Sequence, residues 1–161
     1  MAESSKFFRM AVLAAALLAT SLIIVLWGSL GTEPAAAAPS TIQSRGFLIE
    51  TSDDISMHVR EKVCSGGTSK VPILLVHGTW QNSQIWDFPG RSVMDHLAKN
   101  GYDVYALDMR GMGESGRPPD PPNYNTIHLL DRVNDLEAVA SHIKNTTGRP
   151  PVVLGFSQGG P

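Results

Sequence analysis

The chain has 161 residues, with 13 Lys and Arg against 15 Asp and Glu, a formal net charge of −2 and 42% hydrophobic residues. That balance leaves no basic surplus to grip phosphates, which excludes nucleic-acid binding by bulk electrostatics, and it is too apolar and too weakly charged for a disordered chain. One cysteine, Cys64, excludes an intrachain disulfide, and no Cys/His cluster has the spacing of a zinc site, so no metal site is expected.

Residues 10–30 carry no charge and are mostly Ala, Leu, Ile and Val. As a helix this run would be about 30 Å long, enough to cross a bilayer. Lys6 and Arg9 precede it and no Lys or Arg follows before Arg45, a bias that places the body on the far side of the membrane. Ala35 to Ala38 form the small-residue stretch that signal peptidases cut. Residues 1–38 therefore read as a signal peptide or a signal anchor. Cleavage would give a secreted or periplasmic protein; an uncleaved helix would tether it to the membrane.

Residues 39–45 read as a linker. Gly46 to Thr51 is a short apolar run, and Ile55, Met57 and Val59 alternate with polar residues, so a β-hairpin turning at Asp53-Asp54 is expected. His58, out of phase with that alternation, should face solvent. Cys64 to Lys70 is a loop. Val71 to Val76 runs apolar without alternation, as a strand covered on both faces does, and ends at His77-Gly78. Val93, Met94 and Leu97 share a helical face that stops at Asn100-Gly101. Tyr102 to Met109 is the next buried strand. Pro118 to Pro122 breaks structure, and Ile127, Leu130, Val133, Leu136, Ala140 and Ile143 then recur at helical spacing. Gly148-Arg-Pro-Pro151 ends that helix, and Val152 to Phe156 begins a third strand of the buried type. Strand, helix, strand, helix, strand at this spacing predicts an α/β fold, a mostly parallel sheet with helices on both faces. Chemistry in such sheets gathers at the carboxyl ends of the strands. The polar and glycine-rich segments fall there: His77-Gly78, Asp108 to Ser115, and Gly155 to Gly160.

Gly155-Phe-Ser157-Gln-Gly159 matches Gly-x-Ser-x-Gly, which holds a serine in a strained strand-to-helix turn with its hydroxyl exposed; the flanking glycines remove side chains that would collide. Upstream, Leu75-Val-His77-Gly78-Thr79 can aim a backbone N–H at the oxygen of an attacked carbonyl, beside the N–H of the residue after the serine. Leu107-Asp108-Met-Arg110-Gly-Met-Gly113-Glu-Ser115 is a turn at a strand end. Asp108 there is read as holding the turn through side-chain to backbone hydrogen bonds.

With these three ordered motifs the chain resembles the N-terminal half of an α/β-hydrolase, in the serine-nucleophile branch, over roughly residues 46–161. The resemblance implies Ser157 as nucleophile, the main-chain N–H groups of Thr79 and Gln158 as the oxyanion hole, and His77, Gly78, Asp108, Gly155 and Gly159 as residues that shape the motifs. It implies hydrolysis of a small-molecule ester or related acyl bond, without metal or organic cofactor. Relatives acting on epoxides or carbon–halogen bonds place aspartate at the nucleophile position, which Ser157 argues against. C–C hydrolases and cofactor-free haloperoxidases remain alternatives within the serine branch.

All five histidines (His58, His77, His96, His128, His142) precede Ser157, whereas the triad in this fold runs serine, acid, histidine. The sequence is accordingly expected to be a C-terminally truncated domain, its acid and histidine lying beyond residue 161 and its last strand an apolar edge. The alternative is a catalytically incomplete, non-enzymatic product. His77 reads as structural, and His96, His128 and His142 as helix residues without a role. Asn145-Thr-Thr147 fits a glycosylation sequon. Trp80 and Trp86 either line a pocket or pack under the loop.

Overall fold

A computed structural model describes residues 41–65, 70–117 and 127–160. The expected apolar leader and the 118–122 break lie outside them. Among the described residues, no helix is long and apolar enough to cross a membrane.

The body is built on a five-stranded sheet. Strands β1 (Ile42–Glu50) and β2 (Ser56–Cys64) form an antiparallel hairpin in register from Ile42 opposite Cys64 to Glu50 opposite Ser56. Its turn sits at the expected Asp53-Asp54: the Thr51 hydroxyl accepts from the Ile55 N–H at 3.1 Å and donates to Asp53 at 2.6 Å, while Asp54 adopts φ 60°. The strand starts at Ile42, so residues 42–45 of the expected 39–45 linker belong to β1. Residues 43–46 are exposed on an outer strand and carry no apolar pattern to betray it.

Strands β3 (Ile73–Val76), β6 (Val104–Leu107) and β7 (Val152–Gly155) are parallel, and β2 joins them antiparallel to β6, giving the order β1-β2-β6-β3-β7. A two-residue pairing of β4 (Asp87–Phe88) with β5 (Arg91–Ser92) leads into helix α1 (Val93–Lys99). The Ser92 hydroxyl caps α1 by accepting from the Asp95 N–H, and Gly101 (φ 85°) follows its end. Helix α2 (Leu129–Thr147) closes with Gly148 at φ 74°, the left-handed C-cap that glycine adopts without a Cβ penalty.

Alternation along the strands sends successive side chains to opposite faces, and each face has its helix. Leu74, Val76, Tyr105, Leu107, Met57 and Val59 pack with Val139 and Ile143 of α2. On the other side Leu75, Val104 and Ala106 pack with Met94 and Ala98 of α1. Each such side chain taken fully from water contributes about 1.5–3 kcal/mol before the entropy of ordering it. The mostly parallel sheet with helices on both faces is therefore as the sequence predicts.

Among the described residues β7 is the apolar edge that the sequence predicts, and the apolar stripe of α2 is covered only in part. Leu130 and Val133 of α2 are 73% and 47% exposed, and Val152, Val153, Leu154 and Phe156 stand 44–53% exposed. The C-terminal half of α2 seats on the sheet, whereas its N-terminal half faces the outer strand β7, which pairs on one side only. Apolar periodicity marks a face that can be buried, not what covers it.

Ion pairs tie the layers together. Arg110, just after β6, makes two bonds to Asp135 of α2 (2.7 and 2.6 Å) and reaches Asp53 in the hairpin turn (2.9 Å). Lys62 of β2 bridges Asp87 and Asp95 at 2.6 Å each, pinning the start of α1 to the sheet.

The Arg110 and Asp135 side chains are 7% and 2% exposed, so removing one strands the other's charge out of water. Asp135→Ala is expected to cost about 3–5 kcal/mol. Asp53, half-exposed, is expected to cost under about 1 kcal/mol as Asp53→Ala. Urea midpoints of the two variants, at unchanged slope, check the ordering.

Candidate active site

The site is built where β3 and β7 end side by side. The Phe156 N–H continues the ladder to Val76 O at 3.0 Å, and the chain then reverses. Ser157 opens a single 3-10 turn, Ser157–Gly159, at φ 54°, a left-handed conformation unusual for a residue with a Cβ. Neighbouring backbone enforces the reversal. A Cβ on Gly155 would lie 1.8 Å from Gly159 O, and one on Gly159 would lie 2.5 Å from Val76 O and 2.6 Å from His77 O. Gly155 and Gly159 are therefore the residues that let the turn close against the end of β3. Ser157 and Gln158 are left exposed.

Across from the turn runs the loop after β3. Gly78 is packed so closely that a Cβ there would meet Ser157 Cβ at 3.0 Å and Phe156 O at 3.2 Å. Its N–H donates to Gln81 Oε1 at 3.0 Å, so it is already engaged. Among the described residues, no backbone carbonyl takes the N–H of Thr79 or of Gln158. The Thr79 hydroxyl donates to Gln158 Oε1 at 2.6 Å, joining the two segments directly.

His77 is fully buried beneath this loop. Its Nε2 accepts from the Met109 N–H at 3.0 Å, which requires the proton on Nδ1, and Nδ1 donates to Gly78 O at 2.7 Å. Burial pushes its pKa below the ordinary histidine range. A neutral ring with both nitrogens committed to backbone is a brace between two loops.

Asp108 holds its turn as expected, and it does more. Its carboxylate accepts from the N–H groups of Ser83 (2.5 Å) and Glu114 (3.0 Å) and from His58 Nδ1 (2.9 Å). Burial pushes the carboxyl up, but these donors outweigh it and hold its pKa below the usual carboxylate range. His58 is thus buried, not solvent-facing. Met57, His58 and Val59 are all buried because β2 is an inner strand, covered on its second face by the loop after β6. Sequence alternation misses this, although Gly46 carries a trace of it: a Cβ there would lie 2.8 Å from His58 Nε2.

The tryptophans divide. Trp86 packs against the core beside α1, and Trp80, at φ 59°, is 78% exposed on the loop carrying Thr79. An apolar cavity of about 500 Å³ opens between β7 and α2, lined by Val133, Leu136 and Val153 and floored by the backbone of the serine turn. Ser157 and Thr79 are not in its lining, so it lies beneath the turn rather than at the hydroxyl. Among the described residues, no group of three His, Cys, Asp or Glu side chains could hold a metal ion. Asn145 lies exposed in the last turn of α2, and Cys64 is a half-buried free thiol at the end of β2.

His77 gives a pH dependence of known sign. Its folded pKa lies below the unfolded value of 6.5, so the neutral form adds stability above pH 6.5 that is lost as pH falls through the folded pKa. Unfolding free energy measured by urea is expected to decline between pH 7.5 and 5, and to decline less in His77→Gln.

Residues 71–161 match the family model of the alpha/beta hydrolase fold. Epoxide hydrolase 3 of Xenopus tropicalis is 31% identical over 110 residues, 68% of this chain and 28% of that protein. A probable alcohol acetyltransferase of Saccharomyces cerevisiae is 30% identical over 120 residues, 74% of this chain and 32% of that protein. The crystal structure of an epoxide hydrolase from Vigna radiata aligns with TM-score 0.54 at 22% identity, over 72% of this chain and 32% of that one. The chain thus spans about a quarter to a third of the length of the curated relatives it matches. The family model covers more than half of the chain, and the chain belongs to the alpha/beta hydrolase family.

Proposed function

We propose that this chain carries the nucleophile and oxyanion half of a serine hydrolase acting on a small-molecule ester or related acyl bond. The observation that carries the reading is Ser157 at φ 54°, exposed on a turn whose glycines cannot bear a Cβ and which faces the Gly78 loop. That geometry costs about 1–3 kcal/mol in backbone strain, and it presents a hydroxyl clear of its own backbone.

In the proposed reaction Ser157 Oγ attacks the acyl carbon as a base takes its proton. The carbonyl oxygen becomes an oxyanion between the N–H groups of Thr79 and Gln158. Collapse expels the alcohol, which takes the proton back, and leaves an acyl-serine. Water, deprotonated by the same base, then attacks the acyl carbon, and Ser157 Oγ departs with that proton as the acid is released. The Gly78 N–H is held by Gln81, which favours Thr79 as the loop's donor. Donors fixed before the charge develops act chiefly on the transition state.

The base is not among the buried histidines. His77 is committed to Met109 and Gly78, and His58 to Asp108. We place the acid and histidine of the triad outside residues 1–161, in the order serine, acid, histidine. The relatives include epoxide hydrolases and a probable alcohol acetyltransferase. A serine at the turn favours acyl chemistry over epoxide opening. The uncharged run at 10–30 behind Lys6 and Arg9 supports export of the body across a membrane.

Ser157→Ala in the whole protein is expected to lower ester turnover by at least about 10⁴-fold and to abolish labelling by a fluorophosphonate. Unchanged turnover would overturn the serine reading. Fractionation with N-terminal sequencing checks export: recovery outside the cytoplasm or in the membrane is expected, and wholly cytoplasmic protein counters it.

A further inference from the structure

The bond from Thr79 Oγ1 to Gln158 Oε1, 2.6 Å long, joins two residues 79 positions apart in sequence, and both side chains are exposed. A neutral side-chain bond open to water contributes little to folding, about 0.5–1.5 kcal/mol at most. Its place is more telling than its strength. Among the described residues no backbone carbonyl takes the main-chain N–H of Thr79, on the loop after β3, or of Gln158, on the serine turn, and these are the two donors proposed for the oxyanion. The contacts described at their bases are of another kind. The Phe156 N–H pairs with Val76 O, and Gly78 abuts Ser157. Beyond Gly78 the loop runs through Trp80 at φ 59°, so the Thr79 peptide has a strained neighbour.

We propose that Thr79 and Gln158 form a side-chain clasp that sets the spacing of the two oxyanion N–H groups, making both side chains positioning residues for the acyl-transfer step. This rests on the serine reading above. An oxyanion hole works only where its donors stand 2.7–3.1 Å from the position the oxygen takes in the transition state. Two independently mobile loops would have to be brought to that spacing in each turnover; a bond between their side chains holds it beforehand. Because the clasp lies in water, its loss acts on geometry and leaves no buried group unpaired.

The test uses the whole protein with a soluble ester and four variants: Thr79→Val, Thr79→Ser, Gln158→Leu and the Thr79→Val/Gln158→Leu double. Valine keeps the β-branched shape and removes only the donor. Thr79→Val and Gln158→Leu are each expected to lower kcat about 10- to 100-fold, less than losing an oxyanion donor outright, with KM within about twofold. The double variant should be no worse than either single one, the mark of a shared interaction. Thr79→Ser should recover kcat to within about threefold, and melting temperatures should stay near that of the parent. Wild-type kcat in Thr79→Val, additive losses in the double variant, or failure of serine to rescue would each overturn the clasp while Ser157→Ala remains inactive. An active Ser157→Ala would instead overturn the serine reading, and the clasp's role with it.

Discussion

One buried carboxylate organises the loops on which the site stands. Asp108 collects donors from the turn at Ser83, from Glu114 in its own loop and from His58 on β2, and its N–H bonds His58 O. Gly113 folds so tightly over it, at φ 53°, that a Cβ would lie 2.3 Å from the carboxyl carbon. A charge this deep is tolerable only when its lone pairs are satisfied, so the three segments are bound to one geometry. The constraint passes on through the next residue. The Met109 N–H fixes the His77 ring, His77 fixes Gly78 O, and Gly78 lies against Ser157. A route of hydrogen bonds and close contact thus runs from the buried acid to the serine turn.

The turn itself is held differently. No charged side chain enters the hydrogen bonds described around Ser157: Gly78 is bonded to the amide of Gln81, Thr79 to that of Gln158, and the ring below is a neutral histidine. Backbone contact does the rest, with Gly155 against Gly159 O and Gly159 against Val76 O. The ion pairs stand further back, Lys62 with α1 and Arg110 with α2, where they join layers. Charge organises the frame, and steric exclusion sets the serine turn.

This division explains what the sequence disclosed. The three parallel strands, both helices and the hairpin turn were legible because each carries a local periodicity or a breaker: Val71 to Val76 without alternation, Gly148 after α2, Asp53-Asp54 between two runs. The motif residues were legible because glycine at fixed spacing marks close backbone contact. What sequence did not disclose is non-local. His58 looked solvent-facing since alternation assumes a half-covered strand, and only the sheet order makes β2 an inner one. The start of β1 was hidden because an outer strand can be polar, and the exposure of Leu130 and Val133 was not legible because a helical stripe does not say which part of it meets the sheet. The Thr79–Gln158 bond has no sequence signature at all; it exists only once β3 and β7 lie side by side.

A neutral surround also suits the chemistry proposed for Ser157. A lysine or arginine at the oxyanion position would attract any anion, including the carboxylate that hydrolysis releases, and would slow its departure. N–H dipoles fixed by backbone discriminate more sharply. They interact modestly with a neutral carbonyl and strongly with the localised charge of the tetrahedral state, so most of their effect falls on the barrier rather than on ground-state binding. That selectivity depends on the donors being unable to follow the oxygen. The route from Asp108 through His77 to Gly78 holds the base of one proposed donor segment, and the glycine contacts hold the base of the other. Immobility at the bases alone does not fix two peptide N–H groups relative to each other, because a peptide plane can still rotate about its flanking φ and ψ. A direct bond between the two residues restricts that freedom, which is the role proposed for the bond between Thr79 and Gln158.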